Sequence, residues 1–271
     1  FRLGMFDPPE SYAYGRIPAS VVGAPEHRKL ALRAAREAIV LLKNERGVLP
    51  LAPSTRRIAV VGPTAELVQS LQGNYNGTPR DPVSPVAGLE RRFKDAQILY
   101  AQGSTLAEGF GAPIAHTALR TADGQEGLTG EYFSTPDLSG RPVATRVDRT
   151  VNFNWDKAVP AAGLKRNDFS VRWTGTVTPP APGDYKLGAR VNYCYACESH
   201  EQFRLYLDDK LIADATEPGK TEALVHFDNT QPRAIRLEYL HGTAAAGIDL
   251  TWQPPAETLA QEAVTAAKGA D

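Results

Sequence analysis

The sequence predicts an α/β plus all-β chain, in which part of a three-layer α/β sandwich carries an inserted antiparallel β-sandwich. Two observations predict this. Apolar residues recur at a helical period near the start, at a period of two through the middle, and at a helical period again over the last seventeen residues. The 271 residues also leave room for two cores, since domains cluster around 100 to 150 residues.

From Pro25 to Lys43, Ala31, Ala34, Ala35, Ala38, Leu41 and Leu42 recur three and four positions apart, which predicts a helix; Pro25 and Glu26 suit its first turn. Residues 56–67 then read as a short apolar strand, bounded by Gly62 and Pro63, running into a helix. A strand apolar throughout predicts burial on both faces. A helix over 85–93 and a strand over 96–103 complete a β-α-β unit with a right-handed crossover.

Past about Gly127 the alternation is that of strands with one buried face. Val171, Trp173 and Val177 share one side, as do Phe203, Leu205 and Leu207, then Ile235, Leu237 and Tyr239, then Ile248, Leu250 and Trp252. Gly183-Asp184, the Asp208-Asp209-Lys210 tip and Gly242 punctuate these runs as turns, favouring an antiparallel sandwich or barrel. A closing helix follows, with Leu259, Ala263, Val264 and Ala267 on one face and Gly269 as its stop. A helical pattern that resumes after a β-region marks the β-region as an insertion, and a further parallel strand is expected after it.

Formal net charge is −1, which gives no field to draw in nucleic acid or anionic lipid. No apolar run approaches the roughly 20 residues needed to span a bilayer. The opening Phe1, with no signal peptide after it, leads to the expectation of more chain upstream. Two cysteines, Cys194 and Cys197, are too few for a disulfide scaffold.

Four stretches together resemble glycoside hydrolase family 3: FRLGMFDPP (1–9), HRKLALRAAREAIVLLKNERGVLPL (27–51), IAVVGPTA (58–65) and GNYNGTP (73–79). The middle region, from GLTGEYFSTPDLSG through FSVRWTGTV to RLYLDDKLIAD, resembles the protective-antigen-type (PA14) β-sandwich that some members carry at this place. The resemblance implies four segments: a barrel-domain tail and linker helix over 1–52, the first part of the α/β sandwich domain over 53–126, the PA14-like insertion over 127–254, and a return helix over 255–271. It implies a β-glucosidase or β-xylosidase that releases terminal β-linked sugars, with a barrel domain and the rest of the same enzyme as partners, possible homodimer contacts, and a secreted or periplasmic location. Retaining hydrolysis needs two carboxyl groups about 5 Å apart. By resemblance the nucleophile lies upstream of Phe1 and the acid/base downstream of Asp271, so no catalytic residue, cofactor or metal is assigned to this chain.

The substrate-binding candidates are Asn74, Tyr75, Tyr193, Tyr195, Glu198 and His200. Asn74 and Tyr75 follow the first strand, where loops of α/β sheets face ligand crevices; the alternative is a turn with Tyr75 packed on a neighbouring domain. Segment 192–201 gathers aromatic, acidic and imidazole groups that suit sugar stacking and hydroxyl binding, or else its tyrosines cover the core. Cys194-x-x-Cys197-x-x-His200 has zinc-ligand residue types but lacks an evident second ligand pair. A bridge between the two cysteines requires a turn rather than an extended strand. Some PA14 relatives hold calcium through adjacent aspartates where this chain has Ser199-His200-Glu201, which removes the paired hard ligands. Trp155, Trp173 and Trp252 read as core, and His27, His226 and His241 as isolated structural or solvated residues. Two other functions stand beside the pocket-wall reading: an independent glycan-binding or adhesion module, and an insertion that only makes dimer contacts.

Overall fold

The computed structural model describes every residue except 1, 3, 5, 12, 74, 76, 78–80, 108, 157, 192–200, 216–220 and 244. The chain divides into two compact units, Phe1–Pro53 and Ser54–Asp271.

In the first unit, three short 3-10 turns precede helix α1 (Pro25–Ala38). Pro25 occupies its first turn as the sequence predicts, but the helix stops at Ala38 rather than running to Lys43. Ile39 is already extended, at φ −77° and ψ 123°. The β-branched pair Ile39-Val40 favours that change, because χ1 crowding lowers helix propensity. Leu42, predicted on the helical stripe, is 91 % exposed. Asn44 closes the following turn, with its amide donating to Leu49 O at 2.7 Å and its Oδ1 accepting from Leu49 N at 2.9 Å.

The second unit begins with β1 (Arg57–Val61), which pairs in parallel with β2 (Gln97–Ala101), Ile58 opposite Ile98 and Val61 opposite Ala101. Between them lies α2 (Pro85–Arg92), capped by the Ser84 hydroxyl accepting from Ala87 N at 3.2 Å. Helix α3 (Ala256–Gly269) returns from the far end of the chain to pack on both strands. Burial of β1 on both faces is not what forms: Ile58 is buried, but Val61 is 49 % exposed. The sheet has two strands among the described residues, too few to give each strand a neighbour on both sides. The helix expected beyond β1 is a single 3-10 turn, Val68–Leu71.

Among the described residues every other strand pairing is antiparallel. One sheet runs β11 (Lys210–Asp214), β10 (Glu201–Leu207), β13 (Arg233–His241), β8 (Phe169–Val177), β5 (Leu128–Phe133), β6 (Ala144–Asp148), with β4 (Leu119–Arg120) also beside β8. The other runs β12 (Glu222–Phe227), β9 (Gly183–Val191), β14 (Ala246–Gln253), β3 (Ala112–Pro113), with β7 (Asn152–Asp156) also beside β14. Strands β3 and β4 thus join the sandwich sheets ahead of Gly127.

The alternating sides read from the sequence are the buried ones: Val171, Trp173, Phe203, Leu205, Leu237, Tyr239, Ile248 and Leu250 all lie in one core with Trp155 and Trp252. Asp208 and Asp209 turn the β10–β11 hairpin with φ of 48° and 62°, the left-handed pair of a two-residue turn. Gly183 and Asp184 open β9 instead of forming a turn.

Within this core Asp148 is buried, and its Oδ2 accepts from Trp173 Nε1 at 2.7 Å and Tyr132 OH at 2.6 Å. Arg146 Nε donates to the other oxygen at 2.7 Å. Desolvation and the neighbouring Asp148 charge push the Tyr132 phenol well above its ordinary value. Gly130 leaves room for this hub, since a Cβ there would stand 2.5 Å from Asp148 Oδ2 and 3.0 Å from Trp173 Nε1. Replacing Asp148 with Ala strands two buried donors and should cost about 3 kcal/mol in denaturant unfolding, with Asp148→Asn losing roughly half as much.

On α3, burial without a counter-charge raises the Glu262 carboxyl from 4.5 to about 7. The folded chain therefore holds a proton that the unfolded chain has released, and this side chain costs stability as pH rises from 4.5 to about 7. Glu262→Gln should stabilise the chain by about 1 to 2 kcal/mol at pH 8, allowing for partial solvent screening, and have no effect at pH 4. Urea titrations at the two pH values measure the difference.

Candidate functional site

The strand registers gather several chain ends at one end of the sandwich. Glu201 faces His241, His241 faces Phe169, Ile248 faces Val191 and Ala246 faces Asp156. Strand β9 therefore ends, and β10 begins, at this end. The α/β elements join the opposite end, where β3 pairs at Trp252 and β4 at Val177.

At the start of β10 Glu201 is buried, with Oε2 accepting from Tyr239 OH and Oε1 against His241 Nδ1. Tyr239 OH in turn accepts from Gly247 N at 3.1 Å, tying the start of β14 into the same cluster. Phe169 stacks near the imidazole, 4.7 Å between ring centroids, and Trp155 lies 5.9 Å from the Tyr239 ring. Burial first, and then the Glu201 charge, hold the Tyr239 phenol far above its ordinary value.

His241 is thus a partnered core residue, not an isolated one. His226 also has a partner, with Nδ1 2.7 Å from Asp184 Oδ1, and that contact raises its pKa. Both pairings join residues about 40 positions apart, which no local pattern reveals. His27 is solvent-exposed on α1.

Glu201 also bears on calcium. Its side chain is 2 % exposed and directs both oxygens to protein groups in the core, which sets it apart from a solvent-facing calcium ligand. Of the six sequence candidates the structure describes Tyr75, which is 98 % exposed and left-handed at φ 58°, in the loop beyond β1. Asn74, Tyr193, Tyr195, Glu198 and His200 lie outside the described residues, as do Cys194 and Cys197. The sequence reading passed over Glu201 as a site residue; its one clue was a carboxylate at the first position of a strand whose next core residue is Phe203.

A concavity of about 940 Å³ lies between β2, α3 and the joint end of the sandwich, lined by Phe93, Tyr100, Arg120, Glu126 and Glu262 among others. Its acidic groups differ in compensation: bonding to Arg149 lowers the pKa of Glu90, while Glu262 has no such partner.

Replacing Tyr239 with Phe removes a donor to Glu201 and the acceptor of Gly247 N together. The expected loss is about 1 to 3 kcal/mol of unfolding free energy, measured by denaturant titration, with the sheet content unchanged by circular dichroism.

The PA14 domain model matches residues 124–260, a little over half of the chain. Xylan 1,4-beta-xylosidase from Xylanibacter ruminicola is 31 % identical over 214 residues, covering 78 % of this chain and 24 % of that protein. Probable beta-glucosidase K from Aspergillus fumigatus is 30 % identical over 198 residues, covering 71 % and 24 %. The solved beta-glucosidase from Kluyveromyces marxianus shares the fold at a TM-score of 0.51 and 22 % identity, over 89 % of this chain and 31 % of that one. The chain spans about a quarter of the length of these two curated relatives. The chain belongs to the PA14 domain family and is similar to a part of these β-xylosidase and β-glucosidase relatives.

Proposed function

We propose that this chain is the non-catalytic portion of a retaining, exo-acting β-glycosidase that removes terminal β-linked glucose or xylose, its sandwich shaping the substrate pocket. The observation that carries the reading is the return of α3 to both β1 and β2, where the Asp271 carboxylate accepts from Arg56 N at 2.6 Å and Arg57 N at 3.0 Å. A sandwich anchored on both sides in this way holds one orientation, as a pocket wall requires. In this reading α2 and α3 are outer layers of a three-layer α/β sandwich spanning 53–126 and 255–271, and 1–52 leads out of a barrel domain.

Asn74 and Tyr75 then face the sugar from the α/β side, while Tyr193, Tyr195, Glu198 and His200 contact it from the sandwich. Stacking and hydroxyl hydrogen bonds are the chemistry these side chains offer. The two catalytic carboxylates come from other parts of the protein.

The purified 271-residue chain should release no nitrophenol from nitrophenyl β-xyloside or β-glucoside, whereas the complete protein should; turnover by the chain alone would refute the assignment. In the complete protein, Tyr193→Ala and Glu198→Gln should raise KM for xylo- or cello-oligosaccharides about tenfold with kcat nearly kept. An unchanged KM would point to a dimer-contact role, and affinity of the isolated chain for such oligosaccharides to an independent binding module.

A further inference from the structure

Where the sandwich meets the α/β elements, ionised and hydrogen-bonding groups from both sides interlock. Glu66, in the loop beyond β1, places Oε1 2.6 Å from His116 Nδ1, and His116 Nε2 lies 3.4 Å from Glu126 Oε2, just ahead of β5. Glu90 on α2 takes Arg149 in a two-point contact at 2.5 and 2.8 Å, and Arg149 also reaches Glu126 at 3.5 Å. Arg120 stands 3.6 Å from Glu126 and donates to the carbonyls of His116, Thr117 and Leu119.

Exposure ranks these contacts. The side chains of Arg149 and Glu126 are 44 and 45 % exposed, where ion pairs contribute little. His116 is only 4 % exposed and Glu66 16 %, so their contact is the one shielded from water.

Beside it lies a void of about 10 Å³, lined by Glu66, Tyr100, Ile114, Thr150 and Asn152 among others. Glu66 Oε2 and both amide atoms of Asn152 are buried there without a hydrogen-bond partner among the described residues, and His116 Nδ1, close to Glu66 but not aligned with it as a hydrogen bond, is likewise without one. A space the size of one water, with three polar atoms in need of partners, is the setting in which internal waters are held.

We propose that His116 is a positioning residue: clamped between Glu66 and Glu126, and backed by one internal water shared by Glu66 and Asn152, it fixes the orientation of the sandwich on the α/β elements. The joint itself follows from the contacts above. Its consequence for substrate rests on the pocket-wall function.

Calorimetry and limited proteolysis of the 271-residue chain test the joint. The unmodified chain should unfold its α/β elements and sandwich in one transition. His116→Ala should split this into two, the sandwich step keeping its Tm, and speed cleavage within 102–111 at least tenfold. Glu66→Gln, which preserves shape, should do the same to a smaller degree and carries the test where His116→Ala does not fold. Two transitions in the unmodified chain, or a single one in both variants with cleavage rates within twofold, would overturn the proposal.

A crystal structure should show a water within about 3.2 Å of both Glu66 and Asn152; clear density without one would remove it from the joint. In the complete protein His116→Ala should raise oligosaccharide KM with kcat kept. A split transition with KM unchanged would uphold the joint and count against the pocket-wall function alone.

Discussion

The second unit turns on one constraint: the chain leaves its parallel sheet after Ala101 and comes back to it at Ala256, so both connections of the sandwich lie at one end. Inserted domains tolerate this because their termini can sit close together. The registers show how it is done here. Short strands β3 and β4 lay the outgoing chain against β14 and β8 before the long strands begin, and Gln253 of β14 feeds α3 almost directly. Asp271 then closes the path on the backbone of Arg56 and Arg57, next to where β1 starts. Hydrogen bonds tie the outgoing chain to the sandwich through β3 and β4, and Asp271 ties the end of α3 back to β1.

Two of the buried carboxylates organise the sandwich between its ends. Asp148 binds Tyr132, Trp173 and Arg146 near the joint end, and Glu201 binds Tyr239 and His241 at the other. Each ties together neighbouring strands of the same sheet: β5, β6 and β8 in the first case, β10 and β13 in the second. Apolar packing alone tolerates alternative arrangements, whereas a desolvated carboxylate does not tolerate loss of its donors. A one-residue slip of β6 would carry Asp148 to the other face and leave Trp173 Nε1 and Tyr132 OH without an acceptor. The net contribution of such hubs to stability is small against an apolar replacement of the same shape. Their effect is on which register forms.

What the sequence revealed follows from the range of each interaction. Alternation is a local property, so the buried faces of β8, β10, β13 and β14 were legible from Trp173, Leu205, Leu237 and Leu250. Burial of β1 was not, because it depends on how many strands lie beside it, and an apolar run is silent on that. The end of α1 at Ala38 was missed because the Leu41-Leu42 stripe keeps a helical period while Ile39 and Val40 disfavour helix locally. Partners of His241 and His226 come from neighbouring strands, and Glu66 and His116 likewise meet from 50 positions apart. Within the candidate site, Tyr75 could be placed on an exposed loop from its glycine-flanked setting, but the role of Glu201 as an internal anchor required the β10–β13 register.

That register also sets the surroundings of the Glu201 carboxylate. A calcium ion needs six to eight oxygen ligands, several of them carboxylate, turned outward into one space. Glu201 instead directs one oxygen to a tyrosine hydroxyl and the other to an imidazole, both within the core. Turning outward to serve such an ion would take it away from both partners, leaving Tyr239 OH and His241 Nδ1 desolvated and unpaired in surroundings lined by Phe169 and Trp155. Each lost partner costs on the order of 1 to 3 kcal/mol. The carboxylate at this position therefore works as part of the fold, held by its bonds to Tyr239 and His241.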